Sequence, residues 1–245
     1  MTTHDATTQN TGPTVALVTG ANKGIGLATC RRLAALGWTV WLGSRDERRG
    51  KDAAANLPGD VRPVVLDVTD DASVVAARDL IDGESGLLDV LVNNAGIGGR
   101  RVGVEETTPA DFLPVFGVNV LGPVRMLGRF LPLLRHSTQP RVVMVSSGMG
   151  SLAITTDPER FESTLVGLVY PSSKTALNMI TTQYAKGLPG FQVNAVDPGY
   201  TATDLNGFRG TQTVEQAADP IVRLATLPPD GPTGGFFGVD GPLPW

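Results

Sequence analysis

VALVTGANKGIG, residues 15–26, is the stretch on which the fold turns. Its first four residues are apolar without alternation, as in a strand buried on both faces. Gly20, Gly24 and Gly26 then permit a tight turn and a close approach of the backbone to a ligand. Leu27, Leu33 and Leu36 carry the chain on in a helical pattern. Strand, glycine turn and helix in that order aim backbone N–H groups at an anion, and a diphosphate is the usual guest. Any strand-to-helix turn can need glycine, but in the first such unit of the chain nucleotide binding is the favoured reading. The spacing is GxxxGxG, not GxGxxG.

Outward from that unit, short β-branched runs alternate with helical stretches to the end of the chain. Strands are expected at Val15–Thr19, Thr39–Gly43, Val61–Asp67, Val90–Asn93, Arg141–Ser146, Gln192–Val196 and Gly235–Val239. The pattern predicts an α/β fold: a single-domain, Rossmann-type, doubly wound parallel sheet of about seven strands with helices on both faces. That domain is expected to cover 14–245 after a disordered tail at 1–13. Thr108-Pro109-Ala110-Asp111 and Thr213-Val214-Glu215-Gln216 read as helix starts with capping boxes. Two stretches break the rhythm, Ser151–Leu168 and Thr201–Gly210. Both follow strand ends, where open α/β sheets bind ligands.

Composition narrows the function. The 245 residues include 24 acidic and 20 basic side chains, a formal charge of -4, so there is no cationic footprint for nucleic acid or anionic lipid. A single cysteine, Cys30, reads as a small packing residue among Leu27, Ala28 and Leu33. The polar start MTTHDATTQNTGP lacks a signal pattern, and no run approaches membrane-spanning length. These features predict a cytoplasmic protein without a membrane partner. No metal-ligand cluster is legible; His4 falls in the tail and His136 closes an expected helix.

A second motif carries chemistry. Tyr170 and Lys174 in YPSSK stand four apart, hence one above the other on a helix. A phenol loses its proton near pH ~10, and a neighbouring ammonium is expected to lower that value and make Tyr170 an acid/base. The spacing alone also suits a half-buried tyrosine beside a solvated lysine. For the cofactor, WTVWLG ends in Ser44-Arg45, with serine where a carboxylate would grip a ribose 2′-hydroxyl. Arg45 can fork onto a 2′-phosphate and Lys23 can approach the same group, so NADP(H) is favoured over NAD. Arg45 also fits a solvated cation at the head of a helix Glu47–Ala55. Asp67 suits either an acceptor for the adenine amine or an ordinary turn.

TGANKGIG at 19–26, LDV at 66–68, NNAG at 93–96, VNV at 118–120, SS at 146–147, YPSSK at 170–174 and DPG at 197–199 together resemble the short-chain dehydrogenase/reductase family over residues 14–240. Asn22-Lys23, Ser44-Arg45 and the long segment before Tyr170 resemble its NADPH-dependent carbonyl reductase branch. The resemblance implies hydride transfer between a nicotinamide cofactor and a carbonyl/alcohol pair. It implies Tyr170 as acid/base and Lys174 as its partner and a ligand of the nicotinamide ribose. Ser147, three before Gly150, would donate to the substrate oxygen, and the backbone carbonyl of Asn119 would hold a relay water. The implied cofactor contacts are Gly20, Asn22, Lys23, Gly24, Ile25 and Gly26 in the glycine loop, Ser44 and Arg45, and Asp67 and Val68. Asn93, Ala95 and Gly96 would lie beside the adenosine ribose. PGYTAT would close over nicotinamide and diphosphate through Pro198, Gly199, Thr201 and Thr203.

The segment from Ser147 to Tyr170 is longer than in most of the family, so the pocket wall and subunit contacts are expected to differ. A homodimer or tetramer is expected, a monomer being the alternative that this insertion allows. Asp157-Pro158-Glu159-Arg160-Phe161 reads as a short helix start. Ile97, Leu152, Ile154, Phe161, Leu165, Leu205 and Phe208 suggest a pocket for an apolar carbonyl compound, although a core would use the same residues. Phe236, Phe237 and Trp245 read as packing or interface. The rival functions are reduction of an imine or activated alkene at the same site, and a non-catalytic NADP sensor.

Overall fold

A computed structural model of the protein describes residues 12–245. The expected tail falls almost wholly outside the described residues, as does His4. Among the described residues one sheet has the strand order β3-β2-β1-β4-β5-β6-β7-β8. The strands are β1 (Val15–Val18), β2 (Thr39–Ser44), β3 (Asp60–Val65), β4 (Val90–Asn93), β5 (Arg141–Val145), β6 (Gln192–Val196), β7 (Phe236–Gly238) and β8 (Gly241–Pro242). The first seven run parallel, and β8 turns back antiparallel on β7. This last strand was not expected, because a Gly-Pro pair reads as a turn.

Alternation along each strand fills two cores. Leu17, Trp41, Leu91 and Met144 point to one face, where they meet helices α3 (Asp71–Ser85), α5 (Gly122–Leu134) and α7 (Val169–Gly187) through Ile81, Phe130 and Leu177. Val18, Leu42, Val92 and Val143 point to the other. There α1 (Gly24–Ala35), α2 (Glu47–Ala55) and α8 (Val214–Ala225) supply Leu33, Ala54 and Ile221. Two covered faces explain why the central strands β1, β4 and β5 carry nearly continuous apolar runs. Cys30 lies fully buried in the second core, where burial pushes its thiol pKa up.

Both expected capping boxes form. Thr108 opens α4 (Pro109–Phe116) and Thr213 opens α8. A π-helical turn, Gly117–Leu121, joins α4 directly to α5. The result is a 26-residue helical run, Pro109–Leu134, long and apolar enough by length and composition to cross a bilayer. That corrects the reading that no stretch approaches this length; Gly117, Gly122 and the internal Pro114, Pro123 and Pro132 had broken the pattern. In this fold the run lays Met126, Leu127, Phe130 and Leu133 against the sheet, all buried.

The insertion also differs from expectation. Its helix, α6 (Leu152–Thr156), comes earlier, capped by Ser151, whose Oγ accepts from Ile154 N. Asp157 instead makes a turn by accepting from Glu159 N at 3.0 Å, and a single 3-10 turn, Phe161–Thr164, follows. The C-terminal residues brace this insertion. Ser151 Oγ donates to Pro244 O, Ala153 N donates to Trp245 O, and the Trp245 ring stacks on Phe236 at 5.3 Å.

Candidate active site

Strand order reverses between β1 and β4, and the crevice at that switch point is where a doubly wound sheet binds its ligand. The glycine loop is fixed there by Ala21 N donating to Gly43 O at 2.8 Å. Gly20 has φ +62, and a Cβ on it would stand 2.9 Å from Ala95 Cα, so only glycine fits. A Cβ on Gly26 would meet Asn94 Nδ2 at 2.5 Å. Asn94 ties the two loops by donating to Thr19 O and Gly20 O, while Thr19 Oγ1 accepts from Asn94 N and Ala95 N. Asn94 was not among the expected site residues; only its place between Asn93 and Ala95 pointed to it.

Helix α1 begins at Gly24, and its N-cap Lys23 makes no side-chain cap bond, so the first-turn N–H groups face the crevice without that partner. Asn22 and Ile25 are half-buried in the same loop. Lys23 Nζ lies 2.6 Å from Asp204 Oδ2, across the crevice mouth. At the end of β2, Ser44 is buried and its hydroxyl is spent locally, donating to Asp46 O at 2.8 Å. Arg45 beside it is exposed. Asp67 Oδ1 accepts from Thr69 N and Oγ1, and these bonds, helped by Arg45 and Arg125, hold its carboxyl below the usual range. Both open readings of Asp67 thus have a basis in place: it makes the turn and it stays ionised. Val68 is buried and its carbonyl accepts from Arg125. Asn93 is buried with its Oδ1 unpaired.

The reactive cluster gathers at the ends of β4 and β5 and the start of α7. Ser147 follows β5 and its Oγ accepts from Met149 N at 3.2 Å. A hydrogen bond from Ser147 reaches the Tyr170 phenol. Lys174 is buried and its Nζ donates to Val145 O at 2.8 Å, 5.7 Å from the Tyr170 ring centre. A Cβ on Gly96 would lie 3.6 Å from that Nζ and 3.5 Å from Asn119 Oδ1. The Asn119 side chain is fully engaged: Oδ1 accepts from Ile97 N, and Nδ2 donates to Ile97 O and Ser173 Oγ. Its backbone sits in the π turn, and Pro123, four residues on, has no N–H to give its carbonyl.

Electrostatics here correct one expectation. Lys174 does not bring the phenol down; desolvation pushes Tyr170 up to about 12, Ser147 offsetting this only in part. Burial also lowers Lys174 to about 8, and the Asp197 carboxylate opposes that fall. Asp197 itself is raised by burial. It accepts from Gly199 N at 3.0 Å and from Gly148 N, and so joins the loop after Ser147 to the loop after β6. Asp197 opens the DPG motif at 197–199, but the motif alone does not disclose this role.

In the loop after β6, Pro198 and Thr201 are buried and Gly199 has φ +80. Thr203 forms a capping box with Asn206. A cavity of about 720 Å³ opens between this loop, the insertion and the C-terminal strands, lined by Phe161, Glu162, Asp197, Tyr200, Gln212 and Leu243 among others. Phe161 is the one member of the expected apolar wall that lines it, packing on the Tyr200 ring at 5.6 Å. Ile154 belongs to the core, and Leu152, Leu165, Leu205 and Phe208 are exposed.

The family described as short chain dehydrogenase matches residues 14–213. The chain belongs to the short-chain dehydrogenase family. It is 36% identical to (+)-neomenthol dehydrogenase of Arabidopsis thaliana, over 92% of this chain and 96% of that protein. It is 32% identical to salutaridine reductase of Papaver bracteatum, over 91% and 93%. Among solved structures, NADPH-bound carbonyl reductase from chicken fatty liver superposes with a TM-score of 0.84 at 28% identity, over 95% of this chain and 99% of that one. This short-chain dehydrogenase is therefore an oxidoreductase with carbonyl reductase-like relatives, and its sheet is the family's Rossmann fold.

Proposed function

We propose that the protein is an NADPH-dependent carbonyl reductase. The observation that carries the reading is the meeting of Ser147, Tyr170 and Lys174 beside a glycine loop whose helix N-terminus lacks a side-chain cap. The residues fit a dinucleotide. The N–H groups of Gly24 to Gly26 suit the diphosphate, Lys23 and Arg45 suit the 2′-phosphate, and Gly96 leaves space beside Lys174 for the nicotinamide ribose. When bound, the cofactor supplies the hydride that adds to the carbonyl carbon. Tyr170 gives its proton to the carbonyl oxygen, and the Ser147 hydroxyl donates to the same atom. A phenol held near 12 is fully protonated at neutral pH and remains a stronger acid than the alcohol formed when it protonates the alkoxide. Lys174 and water on the Asn119 carbonyl restore the proton. Asp197 opposes the loss of charge on Lys174 and joins the two loops. The 720 Å³ cavity is not lined by Ser147, Tyr170 or Lys174 but shares Asp197 with them, and on that shared residue we assign it to the substrate, with Phe161 and Tyr200 as its aromatic wall.

NADPH oxidation against a panel of ketones, aldehydes, imines and enones tests the reading. Turnover confined to ketones and aldehydes supports it. Turnover of imines or enones alone makes the protein a different reductase on the same site, and cofactor binding without any turnover makes it a sensor.

A further inference from the structure

Among the described residues the loop after β6 is tied to the glycine loop by one ion pair, Lys23 Nζ to Asp204 Oδ2 at 2.6 Å, with both side chains more than half exposed. Lys23 immediately precedes α1, and Asp204 opens the turn Asp204–Asn206. The two segments touch just beneath: a Cβ on Gly24 would lie 3.9 Å from Thr203 Cγ2. On the far side of the crevice Arg101 Nη2 donates to Leu205 O at 2.9 Å, and Leu205 lies 3.7 Å from the Cβ position of Gly98. Consecutive residues of the loop are thus held from the glycine loop and from the loop after β4, and the first of these holds uses the lysine that the 2′-phosphate needs.

A lysine is a compact point charge on a flexible stem, so its one ammonium cannot serve a carboxylate and a phosphate fully at once. Building on the NADPH reading, we propose that Asp204 is a cofactor-specificity residue: it holds Lys23 until a 2′-phosphate takes the ammonium away. A dinucleotide without that phosphate leaves the clasp closed. Asp204 therefore weakens the binding of NADPH while leaving that of NADH nearly untouched, and it links arrival of the phosphate to release of the loop at residue 204. The pair is exposed, so the competition is modest and salt-sensitive.

Calorimetric titration of the parent, Asp204→Asn, Lys23→Ala and the double variant with adenosine 2′,5′-bisphosphate, 5′-AMP, NADPH and NADH tests this. Asp204→Asn should bind the bisphosphate and NADPH about two- to fivefold more tightly, the range an exposed ion pair of up to ~1 kcal/mol allows. Its affinity for 5′-AMP and NADH should stay within about twofold, and the gain should vanish on a Lys23→Ala background. Equal weakening toward all four ligands would overturn the proposal, making the clasp a support for any dinucleotide. An unchanged bisphosphate affinity would overturn it too. A parent that binds 5′-AMP as tightly as the bisphosphate refutes the NADPH reading itself. A parent that prefers the bisphosphate, with Lys23→Ala keeping that preference in full, refutes only the role of Lys23 and Asp204. Thermal unfolding of each variant guards against a folding defect, which exposed, polar substitutions at these positions should not cause.

Discussion

At the scale of single residues the chemistry rests on a half-buried phenol and a half-buried carboxylate set around a buried ammonium. Tyr170→Phe should keep NADPH affinity within a few-fold while lowering turnover by at least ~10²-fold, the scale of a lost general acid; near-normal turnover on any active substrate would refute the assignment. Lys174 sets a pH limit. With its ammonium lowered to about 8, the charged form prevails below that pH and is lost above it, so kcat/KM for reduction should fall as pH rises through ~8. Asp197 opposes the lowering, so Asp197→Asn should move this limb to lower pH, and a limb that stays or moves upward would show that its charge does not act on Lys174. Tyr170, Lys174 and Ser147 were legible because each sits in a compact motif. Asp197, Asn94 and Asp204 were not given roles, since their contacts join loops from different strands. Ser44 was legible as the absent acid but not as a buried hydroxyl. A carboxylate placed there would meet the turn to α2, and Arg45→Ala is the cleaner test of the 2′-phosphate. Loss of that charge-assisted contact should cost roughly 1.5–3 kcal/mol, a factor of ~10 or more in NADPH affinity.

At the scale of elements the strands and caps were readable, and the exceptions share a cause. Glycine and proline punctuate sequence, yet tertiary packing carried a helix from Pro109 to Leu134 across Gly117 and Gly122 by widening one turn. The same pressure moved the insertion's helix ahead of Asp157, where Ser151 provides a cap and the C-terminal residues a brace. The remainder of the insertion, from Asp157 to Leu168, exposes Phe161, Leu165, Val166 and Leu168. Because Phe161 and Glu162 also line the cavity, the segment should act as a substrate lid. Shortening Thr155–Thr164 should reorder bulky against small carbonyl substrates and leave NADPH binding nearly intact. Altered sedimentation with an unchanged substrate ranking would assign it instead to an interface.

At the scale of the whole molecule, two cores sandwich one sheet, and the crevice is a product of their topology. A doubly wound parallel sheet was legible in the alternation of strands and helices, whereas the order β3-β2-β1-β4-β5 was not read from it, although right-handed crossovers leave few other arrangements. The short return strand β8 was invisible because its two residues carry no strand pattern. Since the binding crevice draws on loops from both halves of the sheet, a ligand held there should stabilise the entire fold and not one lobe. At a hundred times its Kd, a ligand that binds only the native state adds about 2.7 kcal/mol, which in a chain of this size corresponds to a rise of roughly 5–11 °C in Tm. NADPH should produce that rise in one cooperative transition, and NADH at equal concentration should produce less, in proportion to its weaker affinity. Phe130→Ala, on the α5 face, and Leu33→Ala, on the α1 face, should each lower stability by about 2–5 kcal/mol through cavity formation. Both should nevertheless keep the NADPH-dependent increment, because neither side chain reaches the crevice. Two separate melting steps, or an increment lost on substitution in one core alone, would mean that the halves of the sheet unfold independently and that the crevice belongs to only one of them.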